Sequence, residues 1–188
     1  MLKGLLSHSA EAICFAGALS GIIIYGLVTK FLRAKRGYLE VPWVILVIIV
    51  SFFANRSGLP LLPLGEWASY LACAFLAALG ISLLALALKA CPLTVVSGRE
   101  RSVLVTKGPY SYIRHPICLS CVLLAFSAAI GFRSAVGVML ALVALVIVYL
   151  HTLFEERGLE RRFGSAYSEY KSKVGMFVPK GKSTKGPR

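Results

Sequence analysis

The densest chemistry in the chain lies in Lys107-Gly108-Pro109-Tyr110-Ser111-Tyr112-Ile113-Arg114-His115-Pro116. Gly108-Pro109 predicts a turn, and two Tyr supply flat amphipathic surface. Arg114 and His115 place a cation pair at the mouth of a helix that opens on Pro116, where the helix dipole also favours an anion. A second cluster follows some forty residues later: His151, Glu155-Glu156, Leu159, Phe163-Gly164, Tyr167 and Tyr170. Helical spacing puts Glu156 and Glu160 on one face with Thr152, and His151 with Glu155 on the adjacent face. Taken singly, the first cluster also reads as a headgroup-level girdle of Tyr and Arg. The second also reads as a solvated helix paired internally by Arg157, Arg161 and Arg162. Brought together, a cationic-aromatic wall opposite an acidic one suits a small zwitterion carrying a carboxylate, an amine and a flat base.

What must position these clusters is a set of membrane helices. The chain has 188 residues, 57% of them hydrophobic, which is too apolar for an ordinary soluble domain. Apolar runs lie at 12–29, 41–55, 67–88, 116–132 and 134–154, to be judged against the roughly 20 residues that cross a bilayer. The second, with Pro42, stops at Asn55-Arg56-Ser57-Gly58, and Pro60 to Pro63 read as a turn. The fourth and fifth are separated only by Arg133 and its neighbours, so a tight helical hairpin is expected there, returning the second cluster to the side of the first. The fold class is therefore an all-α polytopic membrane protein of about five transmembrane helices, with a carboxyl-terminal hairpin and cytoplasmic cofactor-binding segments. Residues 1–89 would hold three helices, 90–179 the chemistry with helices four and five, and 180–188 a disordered basic tail.

Charge sets the orientation. There are 21 Lys and Arg against 8 acids, all Glu, for a net charge of +13. All the basic residues except Lys3, Arg56 and Arg133 fall in the loop 30–36, in the connection 89–114 or after the last run. The amino terminus is expected outside and the carboxyl terminus in the cytoplasm, with anionic membrane lipids as partners of the basic face. Glu11 closely follows Lys3, so the first run reads as a retained helix rather than a secretory signal, and Gly17 and Gly21 give it a close-packing spacing.

Several classes are disfavoured. The five Cys, at 14, 73, 91, 118 and 121, form no CxxC, and His8, His115 and His151 never pair at ligand spacing, so neither a disulfide framework nor a metal site is expected. No glycine fingerprint follows a strand, which argues against a dinucleotide-binding fold. No nucleic-acid partner is expected.

In residues and spacing, Leu104-Val105-x-x-Gly108-Pro109-Tyr110-x-x-Ile113-Arg114-His115-Pro116, then Glu155-Glu156 and Phe163-Gly164-x-x-Tyr167-x-x-Tyr170, resembles the integral membrane methyltransferases that include isoprenylcysteine carboxyl methyltransferase and the phospholipid methyltransferases. The likeness covers about the last hundred residues. It implies S-adenosyl-L-methionine as methyl donor, with Leu104 and Val105 along the adenine, Tyr110, His115 and Pro116 close to the cofactor, and Glu156 on its polar groups. Three positions depart from the pattern: Cys118 stands where Tyr is usual, Ser120 where Gly is frequent, and Ser102 where carboxyl methyltransferases often have His. The stretch Tyr149-Leu150-His151-Thr152 offers no match for the Arg those enzymes place near their substrate.

The expected reaction is methyl transfer to a lipidic or isoprenoid acceptor, of prenylcysteine-carboxylate or aminophospholipid type, that enters from the bilayer. Arg114, Glu155 and His151 are the candidate catalytic residues, the last two as proton acceptors for an amine. Two other readings compete: a reductase using a phosphorylated nicotinamide, since membrane sterol reductases resemble the same region, and a non-catalytic adaptor that binds anionic lipid.

Overall fold

The computed structural model describes residues 41–59, 61–91 and 103–180. The first apolar run with its Gly17/Gly21 spacing, the basic loop 30–36, Ser102 and residues 181–188 lie outside the described residues. Among the described residues there are five α-helices and no strand. The helices are α1 (Val41–Arg56), α2 (Glu66–Ala90), α3 (Pro116–Gly131), α4 (Ala135–Phe163) and α5 (Ser165–Lys173). These five are a different set from the five apolar runs, because α1 to α4 take up the second to fifth runs and α5 is short and polar.

Among the described residues two helices are long and apolar enough to cross a membrane, α2 with 25 residues and α4 with 29, while α1 and α3 are shorter apolar helices. The surfaces agree with a lipid setting. On α2, Trp67, Leu71 and Phe75 are 82%, 72% and 69% exposed, a ridge of large apolar side chains that water would not tolerate. Helix contacts in lipid gain little from hiding apolar surface and depend on close approach. Gly80 of α2 has Leu124 and the Ser120 carbonyl of α3 where a Cβ would reach. Ser127 of α3 donates to the Cys73 carbonyl of α2 at 3.0 Å. A second seam joins α1, α3 and α4 through Val47, Val50, Ala125, Ala129, Leu140 and Ala141.

The ends are set locally. Pro116 occupies the first turn of α3, where a missing N–H costs nothing. Residues 132–134 then connect α3 to α4. Asn55 of α1 donates to the Phe132 carbonyl at 2.7 Å, and the Ser134 side chain caps α4 by accepting from the Gly137 N–H at 2.9 Å. α4 ends at Gly164, whose φ of 55° is open to glycine, and this turn starts α5. At 1.5 Å per residue α4 is about 43 Å long, so some nine residues outrun a hydrocarbon layer of about 30 Å. The charged residues of α4 all fall in its last nine positions, from Glu155 on, which marks that end as the projecting one.

Candidate functional site

The turn that carries the first cluster is built before any partner arrives. Gly108 has a φ of 60°, and a Cβ on it would come 3.0 Å from the Ala90 Cβ, so the position demands glycine twice over. A single 3-10 turn, Gly108–Ser111, follows with Pro at its start. Ser111 donates to the Gly108 carbonyl at 2.6 Å, and the Ile113 N–H donates to the Pro109 carbonyl at 3.1 Å. The chain thereby delivers Arg114 and His115 to the first turn of α3, with His115 as its N-cap residue.

Here they meet the projecting end of α4. Glu156 is 1% exposed and Arg114 8%. A buried carboxylate is costly unless paired, and this one is paired on both oxygens. Arg114 Nε donates to Glu156 Oε1 at 2.7 Å with Nη2 2.5 Å from the same oxygen, while Lys171 Nζ lies 2.9 Å from Oε2. Lys171 also reaches Glu160 Oε1 at 2.8 Å. The imidazole of His115 sits between neighbouring carboxylates, Nε2 3.4 Å from Glu156 Oε1 and Nδ1 3.7 Å from Glu155 Oε2. Glu155 is half-buried.

A strap closes this cluster. After α5 the chain runs back along the first loop: the Arg114 N–H donates to the Gly175 carbonyl at 2.8 Å and the His115 N–H to the Met176 carbonyl at 3.2 Å. Arg114 Nη1 donates to the Val174 carbonyl. These bonds satisfy amides that the start of α3 leaves without helical partners. The strap turns sharply, since a Cβ on Gly175 would collide with the Val178 carbonyl. Phe177 packs on Cys118, Val122 and Val148, and its ring lies edge-on to His115 at 6.3 Å. Cys118, the departure from the usual Tyr, packs in this cluster.

Three phenols surround the cluster. Tyr170 donates from its hydroxyl to the Tyr110 carbonyl at 2.6 Å, and burial pushes its pKa up to about 12. Burial also raises the Tyr110 and Tyr167 phenols well above their ordinary value, Tyr167 further through the Glu156 charge and Tyr110 through the nearby Cys91. Burial likewise raises the Cys91 thiol, against a lowering by its hydrogen bond with Tyr110. None of these groups is a base at neutral pH. The Lys171 ammonium is held protonated to higher pH by Glu160 and Glu156.

The structure therefore gathers Arg114, His115, Glu155 and Glu156, with Tyr110 and Pro116 beside them. Leu104 and Val105 are half-buried in the segment that leads into the turn, and His151 is half-buried one helical turn before Glu155. Sequence reasoning missed Lys171 and the strap. In sequence Lys171 is one of the many basic residues after the last apolar run, and its contact with Glu156 crosses the Gly164 turn, where helical periodicity predicts nothing. The only signal for the strap was the apolar Val174-Gly175-Met176-Phe177-Val178 amid basic residues.

Comparison with known proteins places this architecture. The family model described as phospholipid methyltransferase matches residues 68–166, slightly more than half of the chain. The match runs from α2 through the Arg114 loop to the end of α4. A methanethiol S-methyltransferase of Bradyrhizobium diazoefficiens is similar, with 31% identity over 84 residues, which is 44% of this chain and 29% of that protein. The aligned stretch thus spans less than a third of that relative's length.

Proposed function

Because the chain belongs to the phospholipid methyltransferase family, we propose that it moves a methyl group from S-adenosyl-L-methionine to an uncharged, protic acceptor, a thiol or an amine, at the cytoplasmic boundary of a membrane. The observation that carries this reading is the juxtaposition of the Arg114-His115 loop with Glu155-Glu156 at the projecting end of α4. A water-soluble donor and a membrane-borne acceptor can meet there. The five-crossing topology with the amino terminus outside belongs to the same proposal, resting on the distribution of Lys and Arg.

The residues fit such a donor. Nε2 of His115 is buried with Glu156 Oε1 3.4 Å away, a contact that does not close into a well-formed hydrogen bond, so room for a further polar contact is left in the middle of the cluster. Tyr110 is half-buried beside the cluster, and Leu104 and Val105 give apolar surface for a flat base. Leu104, Val105, Tyr110, His115 and Pro116 would hold the cofactor, with Glu156 acting on it through His115. When bound, the cofactor would supply a methyl group activated on a sulfonium, the thioether leaving as the methyl passes to the acceptor.

The protein's own work is then orientation and proton removal. Donor and acceptor gain most from being held in near-attack geometry with water excluded. A thiol or amine must lose a proton as it is methylated, and Glu155 takes it, with His151 one turn away as the other candidate. Arg114 stands apart from the acceptor. Its guanidinium is engaged with Glu156 and with the carbonyls of Val174 and Lys171, so it organises the site instead of binding a substrate anion. Counting Arg114, Lys171, Glu155, Glu156 and Glu160 at neutral pH, the cluster carries net negative charge, which disfavours a carboxylate acceptor. The similarity to a methanethiol S-methyltransferase accords with a neutral thiol.

The test is a panel assay. Purified protein with labelled S-adenosyl-L-methionine is offered small thiols, aminophospholipids and prenylcysteine carboxylates. Label should pass to a thiol or amine and fall by about 100-fold with Glu155→Gln, the lower range for a lost general base. Transfer to carboxylates alone would overturn the acceptor assignment, and binding of a reduced nicotinamide cofactor in place of the methyl donor would overturn the reaction.

A further inference from the structure

We infer that Lys171 is a positioning residue of this site: from α5 it fixes the carboxylate of Glu156 and, through it, the imidazole of His115. The inference rests on the methyl-transfer reading above. Glu156 has two oxygens and two jobs. Oε1 is shared by Arg114 and His115, at 2.5 Å from Arg114 Nη2 and 3.4 Å from His115 Nε2. Oε2 faces Lys171 Nζ at 2.9 Å. With the carboxylate buried, the rotation that sets the Oε1-to-His115 distance is fixed only while Oε2 has its own cation.

Lys171 grips the same point twice. Its ammonium holds Glu156, while its carbonyl accepts from Arg114 Nη1 at 3.4 Å and from Lys180 Nζ at 2.7 Å. The residue that neutralises the carboxylate is therefore part of the chain that leads, three residues on, into the strap over Arg114 and His115. Removing the ammonium leaves Oε2 buried without its cation, while Oε1 still has His115 Nε2 3.4 Å away. The carboxylate then turns towards His115, and the ring nitrogen that is open to the cofactor becomes engaged. Glu160 sits at the outer edge of this arrangement, its side chain 40% exposed, and pairs with Lys171 without touching His115.

The experiment is a binding and kinetic cycle on the full chain in detergent micelles, with S-adenosyl-L-methionine as the probe. Lys171→Met should weaken cofactor binding about tenfold, a typical coupling for groups in one ion-pair network, and raise the cofactor KM while kcat at saturation stays within about twofold. Lys171→Arg should restore affinity. In a Glu156→Gln background Lys171→Met should add nothing, because the charge it serves is gone. Glu160→Gln, which removes the outer partner alone, should stay within about twofold of wild type and keeps the test open if Lys171→Met does not fold. Wild-type affinity in Lys171→Met, an undiminished loss in the Glu156→Gln background, or an equal loss in Glu160→Gln would each overturn the inference. Failure of the wild-type chain to bind the cofactor would instead overturn the methyl-transfer reading, and this inference with it.

Discussion

The α2–α3 seam and the cluster at the end of α4 hold their helices together by opposite means. Along α2 and α3 contact is made by small residues: Gly80 under Leu124, and Ser127 on the Cys73 carbonyl. No charged side chain takes part in those contacts. At the projecting end of α4 the chain crowds Arg114, His115, Lys171 and three carboxylates into a few ångströms and buries Glu156 completely. In lipid a helix pair gains from close backbone approach, and an unpaired charge is prohibitive. Where water is near, a buried charge network can be assembled, and it can do chemistry. On the proposed reading, the seam sets where the site stands and the cluster sets what it does.

That contrast predicts which changes should matter, and how. The largest effect is expected from Arg114→Met, which leaves Glu156 with one cation fewer in a buried place. It should lower unfolding free energy by roughly 3–5 kcal/mol, and Arg114→Met/Glu156→Gln should recover much of the loss. Thermal melts in detergent check this, and a double variant as unstable as the single would break the claim that the pair is one unit.

Gly175→Ala comes next, at roughly 3 kcal/mol or less, because its Cβ would meet the Val178 carbonyl, which is backbone and cannot swing away. Its mark is local: faster hydrogen exchange at the Arg114 and His115 amides, which donate to the strap, with the α2–α3 seam unchanged. Exchange that rose equally in both regions would show the strap and the seam to be one cooperative unit.

Gly80→Val should cost about 1–3 kcal/mol by forcing α2 and α3 apart, and the loss should be the same at low and high salt. A strong salt dependence would contradict a seam built on shape.

The smallest effect is Tyr170→Phe, about 1 kcal/mol for its hydrogen bond to the Tyr110 carbonyl. The sign with pH follows from its raised pKa. The phenol stays protonated in the fold up to about 12, whereas the unfolded chain loses the proton from about 10. The fold therefore holds more protons than the unfolded chain between those values, and stability falls as pH rises through that window. Tyr170→Phe should flatten part of the fall. Lys171, also raised, adds to the same alkaline loss, while the α2–α3 seam has no such group.

How much of this could be read from residues alone follows the same division. Pro116 at the start of α3, the stop after Asn55-Arg56, and Gly164 were legible because each acts on its own backbone. The meeting of Arg114-His115 with Glu155-Glu156 was legible because residues 132–134 are too few to carry the chain far between α3 and α4. Lys171 was not, since its contacts with Glu156 and Glu160 span a helix end, and one Lys among many basic residues looks like any other topological charge. The strap was hidden for a similar reason: its bonds to Arg114 and His115 are made by backbone groups, which every residue possesses. The full burial of Glu156, against the half-burial of Glu155 next to it, needed the fold, because helical spacing puts both on neighbouring faces without saying which is covered.

The central claim is that the charged cluster is a cofactor site. It is tested most directly by calorimetric titration of S-adenosyl-L-methionine into the purified chain, wild type beside His115→Ala. Saturable binding to wild type, weakened about 100-fold or more in His115→Ala while melting temperature is retained, is the expected result, as for the loss of a buried polar contact. Equal binding by both proteins would contradict it.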